Sequence, residues 1–322
     1  MVIPAIEIEL PDITGYRAGN LGIDYATCFD SGRPGPHVMI NALTHGNEIC
    51  GAVALDYLFK KGIRPVTGKL TLSFANVAAY ETFTPSDPLA SRYLDEDFNR
   101  IWAPERLEGM DTNRELERAR ALRPLVGGVD FLLDIHSMLS PDEPLILCGN
   151  LEKGQRLAGR LGTPAWVVGD EGHPSGVRLR DYGAFGQSAA PSRSGAAALL
   201  VECGQHWQAA SGHVAIQTSL RFLWALGMLD QRVAERHLAP VPPGPQRFIQ
   251  VTHAITVNTP RFQFVRPFRG METLPAKGTV IATEDGAELK SSYDDCIVIM
   301  PSSQLDKGLT AIRLGRETAP PS

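Results

Sequence analysis

His37-Val38-Met39-Ile40-Asn41-Ala42-Leu43-Thr44-His45-Gly46-Asn47-Glu48 is the stretch that decides the reading of this chain. Its first seven residues form a short apolar run suited to a buried strand. From Glu48 through Lys60, Ile49, Ala52, Val53 and Leu55-Asp56-Tyr57-Leu58-Phe59 carry the apolar weight of a helix packed on a sheet. His45 then falls in the turn and Glu48 in the first helical turn, where the helix dipole favours a carboxylate. Two ligand types three residues apart at such a turn suit a divalent metal, zinc first. Taken alone, His-x-x-Glu is equally a turn histidine beside a helix-capping glutamate.

A third residue changes the balance. Val129-Asp130-Phe131-Leu132-Leu133-Asp134-Ile135-His136-Ser137 has the near-continuous apolar run of a fully buried strand and ends in ionisable residues. His136 is placed at that strand end. Strand side chains alternate, so Asp134 faces the same way and can accept the imidazole N–H that a metal does not use. Two histidines and a glutamate with one open position are a hydrolytic zinc set, able to polarise a carbonyl and activate water. The expectation is one zinc per chain on His45, Glu48 and His136.

Further along, Arg92-Tyr93-Leu94-Asp95-Glu96-Asp97-Phe98-Asn99-Arg100 and Val201-Glu202-Cys203-Gly204 complete a series of four blocks with His45-Gly46-Asn47-Glu48 and Asp134-Ile135-His136-Ser137. In this order they resemble the motifs of the succinylglutamate desuccinylase and aspartoacylase family, over about the first two thirds of the chain. The resemblance implies a zinc-carboxypeptidase-like catalytic domain that hydrolyses the amide between a small acyl group and an amino acid. It implies the same three zinc ligands, an oxyanion-stabilising Arg92, and Asn99 and Arg100 on the substrate's α-carboxylate. Read without the family, the block from Arg92 to Arg100 is a mixed-charge run of the kind that usually forms a solvated face.

Glu202 follows the apolar run Ala196-Ala197-Ala198-Leu199-Leu200-Val201. A carboxylate at a buried strand end demands a partner, and beside zinc it can act as general base and then general acid. The resemblance implies the same role. The sequence departs from the aspartoacylase form, which has valine and proline where Cys203 and Gln205 stand. Arg193, nine residues before Glu202, lies one residue from where aspartoacylases place an arginine for the substrate's side-chain carboxylate. His206 is read as a packing or hydrogen-bonding histidine, with a place at the pocket mouth as the alternative. His173 is read as a loop residue. Tyr293, Lys290 and Lys307 do not align with the C-terminal tyrosine and lysine of aspartoacylases.

The alternation of strand-like runs (Lys69 to Ala75, Leu145 to Cys148) with helical ones predicts an α/β mixed sheet with helices on both faces. Thr112-Asn113-Arg114-Glu115 reads as a capping box opening a helix to Val126. A long helical pattern runs from about His213 to His237. Pro240-Val241-Pro242-Pro243-Gly244-Pro245 cannot continue it, so the expected division is a catalytic domain over 1–239 and a small β domain over 246–322. Strands are expected over 248–257, 262–265, 279–282 and 296–300, and disorder after Arg316. The family resemblance implies that such a β domain narrows access to the zinc and favours small substrates.

Composition sets outer bounds. A net charge of −5 without a dense basic cluster gives no reason to expect nucleic acid or an anionic membrane. No apolar run approaches a membrane span, and the first residues lack a signal-peptide pattern, so the cytoplasm is the default. Five scattered cysteines give no disulfide framework. Cys203 is the one to watch, being next to Glu202, but a Cys/His nucleophile would leave the zinc set unexplained. The leading function is a zinc amidohydrolase acting on a small N-acyl amino acid of N-succinyl or N-acetyl type. A metallocarboxypeptidase for short peptides and a non-catalytic binding protein are the alternatives. A homo-oligomer is compatible with the sequence.

Overall fold

The computed structural model describes residues 4–188, 195–241 and 243–321. The first part alternates strand and helix: β1 (Ala26–Asp30), β2 (His37–Ala42), α1 (Ile49–Lys60), β3 (Lys69–Phe74), α2 (Val77–Tyr80), α3 (Pro104–Glu108), α4 (Arg114–Gly128), β4 (Phe131–Met138), β5 (Leu145–Leu147), α5 (Glu152–Leu161), β6 (Trp166–Gly169), β7 (Ala197–Gln205), α6 (Ala209–Ala225) and α7 (Gln231–His237). Strands follow: β8 (Arg247–Thr256), β9 (Gln263–Phe264), β10 (Thr273–Leu274), β11 (Val280–Glu284), β12 (Ala287–Lys290), β13 (Cys296–Ile299) and β14 (Thr310–Thr318).

Eleven strands form one mixed sheet in the order β1-β3-β2-β4-β7-β5-β6-β8-β14-β13-β10. Its centre, β3-β2-β4-β7, is parallel, so these strands are covered on both faces and read as apolar runs. Strand alternation sorts each run between two cores. Ile40, Leu133, Ile135, Leu199 and Val201 pack with residues of α1, α5 and α6. Met39, Leu132 and Ala198 pack on the other face with Leu116, Leu122 and Val126 of α4. Helices therefore cover both faces. Asp134, His136 and Glu202 share parity with Leu132 and Ala198, which puts them on the α4 side of the sheet, His136 and Glu202 toward the C-terminal ends of β4 and β7.

The same parity settles Cys203. Its thiol belongs to the α1 and α6 core together with Cys50, on the face opposite Glu202, and all five cysteines are free.

The last part of the chain continues the main sheet through β8, which pairs in parallel with β6 and antiparallel with β14. A smaller antiparallel sheet, β12-β11-β9, packs with its own apolar cluster that includes Val257, Phe262, Ile281, Val298 and Ile312. Among the described residues no helix is long and apolar enough to cross a membrane.

Three sequence expectations are corrected. The capping box is not formed: Asn113 caps α4 by accepting from Leu116 N–H, Thr112 donates instead to Glu117, and Glu115 turns away from the helix end. The long pattern to His237 is two helices, because Gly227 adopts a left-handed φ of 70° that ends the first. The segment after Arg316 is ordered strand to Thr318, held by pairing with β8 and by a bidentate Arg247–Glu317 ion pair.

Candidate active site

The turn between β2 and α1 is tightly built. Leu43 takes a left-handed φ of 58°, and a Cβ on Gly46 would overlap Ser91 O and Tyr80 N, so only glycine lets this turn dock. Gly46 N–H donates to Arg92 O, and Glu48 N–H donates to His45 O. The turn thus brings His45 and Glu48 against the end of β4, where His136 stands. One ligand atom from each of the three lies within 4.8 Å of the others, and all three residues are buried.

Glu48 sits between the two rings. Its Oε1 is 2.8 Å from His45 Nδ1, and its Oε2 is 2.9 Å from His136 Nδ1. Ser137 N–H also donates to Oε2. On its far side His136 Nε2 lies 2.8 Å from Asp134 Oδ2, and His45 Nε2 lies 3.0 Å from Asp97 Oδ1. Asp134 is held in turn by Asn41 and Thr44, whose side chains donate to its Oδ1.

This donor set fits a metal. With a neutral ring's one proton given to Asp134 or Asp97, each Nδ1 lone pair faces a Glu48 oxygen, so either a second ring proton or a metal ion has to lie between them. Burial pushes Glu48 up, but His45 and His136 outweigh it and hold it well below the carboxylate range. For His136, burial lowers the ring while Asp134 and Glu48 raise it well above its ordinary value. Each is the electrostatic mark of a site that demands positive charge.

Arg92 reaches the cluster: its Nη1 is 3.4 Å from Glu48 Oε1, and its Nη2 is 3.0 Å from His45 Nε2 and 3.3 Å from Asp97 Oδ2. Glu202 is in register with His136 across β7 and β4. Its Oε2 is buried without a hydrogen-bond partner. Burial drives Glu202 up to about 8, with Glu48 and Asp134 adding to the rise and His136 and Arg92 opposing it. A divalent cation beside it would draw that value down.

The cluster lies in a cleft of about 670 Å³ whose walls include Asn99, Arg100, His206 and, from the C-terminal part, Met300, Gln304 and Arg313. Leu179 N–H donates to Asn99 Oδ1, which leaves the amide N–H2 as the donor toward the cleft. Arg178 is neutralised by Asp170, on which it makes two bonds of 2.8 and 2.7 Å, and by Asp181. Arg100 and Arg313 have no carboxylate at ion-pair distance among the described residues. Burial pushes Arg100 down to about 10, with Arg92, Arg178 and Arg313 adding to the fall and Asp97 opposing it. Arg313 is lowered by burial too, with Asp170 opposing and Arg178 reinforcing.

Other residues singled out in the sequence are also located. His206 is buried, its Nδ1 2.8 Å from Ser137 Oγ, and burial holds it at about 4. It is a hydrogen-bonded histidine that also lines the cleft. His173 is in a loop on the cleft wall, lowered to about 3 by burial, Arg100, Arg313 and Arg178. Ser175 N–H donates to its Nδ1, so the neutral ring presents Nε2–H. Arg193 lies outside the described residues. Tyr293 bonds Thr252 and lies under Arg316, and Lys290 pairs with Glu288, both away from the cleft lining.

Two residues of this site went unassigned from the sequence. Asp97 stood inside the quoted block, and its signal was an acid two residues before the paired Asn99-Arg100. Arg313 gave only a weak signal, a cation flanked by Ile312 and Leu314 in a strand-like run.

A family model, succinylglutamate desuccinylase/aspartoacylase catalytic domain, matches residues 34–215, more than half of the chain. The chain belongs to the succinylglutamate desuccinylase/aspartoacylase family. The matched range holds His45, Glu48, Arg92, Asn99, Arg100, His136 and Glu202, and members of this family are deacylating hydrolases. Solved structures share the family fold at low identity. Succinylglutamate desuccinylase from Chromobacterium violaceum aligns with a TM-score of 0.63 at 17% identity, over 93% of this chain and 90% of its own. The enzyme of that name from Vibrio parahaemolyticus gives 0.62 at 18%, over 90% and 83%. The product-bound ectoine utilization protein EutE (DoeB) from Ruegeria pomeroyi gives 0.60 at 17%, over 90% and 88%. A search of curated proteins found no match.

Proposed function

We propose that this chain is a zinc-dependent amidohydrolase that removes the acyl group from a small N-acyl amino acid. The observation that carries the reading is the convergence of His45, Glu48 and His136 with Arg92 and the unpartnered Glu202 Oε2 in one cleft. Zinc on these three ligands supplies a Lewis acid for the amide carbonyl and acidifies water. Glu202 takes a proton from the attacking water and returns it to the leaving amine. Arg92 faces the carbonyl oxygen and stabilises the negative charge that grows there. Asp134 and Asp97 fix the orientation of the two imidazoles from behind.

Asn99 and Arg100 are assigned to the α-carboxylate. Arg313 stands ready for a second carboxylate on the acyl group or side chain, because a half-buried guanidinium in the cleft wall with no carboxylate at ion-pair distance is best satisfied by an anionic ligand. An N-succinyl amino acid or an N-acylated acidic amino acid meets both demands. The C-terminal part, residues 246–322, lends Met300, Gln304 and Arg313 to the cleft wall, which favours small substrates over a peptide chain. The free cysteines suit a reducing compartment such as the cytoplasm.

The test is a panel of N-acetyl and N-succinyl amino acids incubated with the zinc-loaded chain, with amine release as the readout. Release from diacid substrates is the expected result. No release from any acylated amino acid, with cleavage of short peptides instead, would hand the site to carboxypeptidase chemistry.

A further inference from the structure

Glu115 is fully buried in the first turn of α4, a position where a carboxylate ordinarily serves its own helix end. Here it turns outward to the segment that joins Arg92 to Asp97. Leu94 N–H donates to its Oε1 at 2.7 Å, and Asp95 and Glu96 N–H donate to its Oε2 at 3.0 and 3.4 Å. Asn76 Nδ2 adds a fourth bond, to Oε1. Three successive backbone N–H groups closing on one anion form a nest.

The side chains of the same segment are tied to the same place. Asp95 receives Arg114, and Glu96 receives Arg106 and Asn113. Immediately beyond the nest comes Asp97, which accepts from Asn99 N–H and meets His45 Nε2. Two residues before it, Arg92 meets Glu48 and anchors the His45 turn, its carbonyl accepting from Gly46 N–H.

We propose that Glu115 is a positioning residue for the metal centre: by closing the 94–96 nest it sets Asp97 and Arg92 against His45 and Glu48. This rests on the metal-centre reading above. A glutamine at 115 keeps the size but turns one acceptor into a donor, which faces the Asp95 and Glu96 N–H groups and opens the nest.

The experiment measures zinc affinity of the full chain by competition with a chromogenic chelator, alongside Tm, for the wild type, Glu115→Gln, Asp97→Asn and Leu122→Ala. Leu122 is apolar and buried two turns further along the same helix, so its truncation lowers stability while leaving every hydrogen bond of the 94–96 segment in place. Glu115→Gln is expected to weaken zinc binding roughly ten- to a hundredfold, as Asp97→Asn does. Leu122→Ala is expected to lower Tm and keep wild-type affinity. Wild-type affinity in Glu115→Gln overturns the proposal, as does an equal loss in Leu122→Ala. If the glutamine variant does not fold, Glu115→Asp, too short to span the nest, is read by the same criteria. A wild-type chain that takes no zinc overturns both the proposal and the reading it rests on.

Discussion

Arg313→Met should weaken substrate binding while leaving the protein as stable as before or more so. The two directions come from one feature: Arg313 is half-buried on β14 with no carboxylate at ion-pair distance among the described residues, and desolvation together with Arg178 outweighs the more distant Asp170 and Glu202. In the free protein its charge is a cost, and methionine fills similar volume without it. Bound to a substrate carboxylate, the guanidinium makes charge-assisted hydrogen bonds of about 1.5 to 3 kcal/mol. At about 1.4 kcal/mol per decade this corresponds to a KM higher by roughly ten- to a hundredfold. Arg313 is assigned to a carboxylate remote from the scissile amide, so kcat should change much less. Steady-state kinetics on a diacid substrate and on its counterpart lacking the second carboxylate, together with a thermal melt, give the answer. Only the diacid should lose affinity. An unchanged KM for the diacid, or a Tm several degrees lower, would refute the argument: the first removes the ligand, the second reveals a structural partner.

Other consequences can be checked in the same preparations. His45→Ala should lose most of its bound zinc by metal analysis, and undiminished zinc would sink the ligand assignment. Glu202→Gln should keep zinc yet fall in turnover by about a hundredfold or more; loss of zinc would make Glu202 a ligand, and near-normal turnover would pass the proton to another residue, His206 first. For Asp170, burial raises the carboxyl, but Arg178 and Arg180 outweigh it and hold it at about 2, against 3.8 for the free group. A depressed folded value stabilises above the unfolded value and is lost as pH falls, here between about pH 4 and pH 2, and the shift is worth about 2 kcal/mol. Urea unfolding across that window should show the drop, and Asp170→Asn, less stable at neutral pH, should show a shallower one.

What could be read in advance follows from how local each signal is. The strand ending at His136 announces itself because a doubly covered parallel strand is apolar along its length, so its polar end stands out. Alternation then puts Asp134 on the same side as His136 without further information. It also puts Cys203 on the opposite face from Glu202, a step available from the sequence but obscured by adjacency along the chain. Glu115 shows the limit of spacing rules. Thr-x-x-Glu satisfies a capping box on paper, yet the direction of the glutamate depends on the 94–96 backbone packed against it, about twenty residues away. β14 was hidden because Arg313, Arg316 and Glu317 make it look like a solvated tail. Its polar residues are spent on the cleft, the Tyr293 ring and Arg247, contacts that exist only after the sheet assembles.

The position of β14 in the sheet bears on how the protein is made. It is later in sequence than β13 and β8 yet lies between them. During synthesis His45, Glu48, His136 and Glu202 all emerge more than a hundred residues before Arg313, so a growing chain can bring these four residues together while β8 still has an open edge. That edge is a template for any passing strand until β14 arrives. The nascent chain therefore passes through a stage at which His45, Glu48 and His136 could already hold a metal ion but the sheet is not closed and the cleft wall is unfinished, and it is then that a chaperone would matter most.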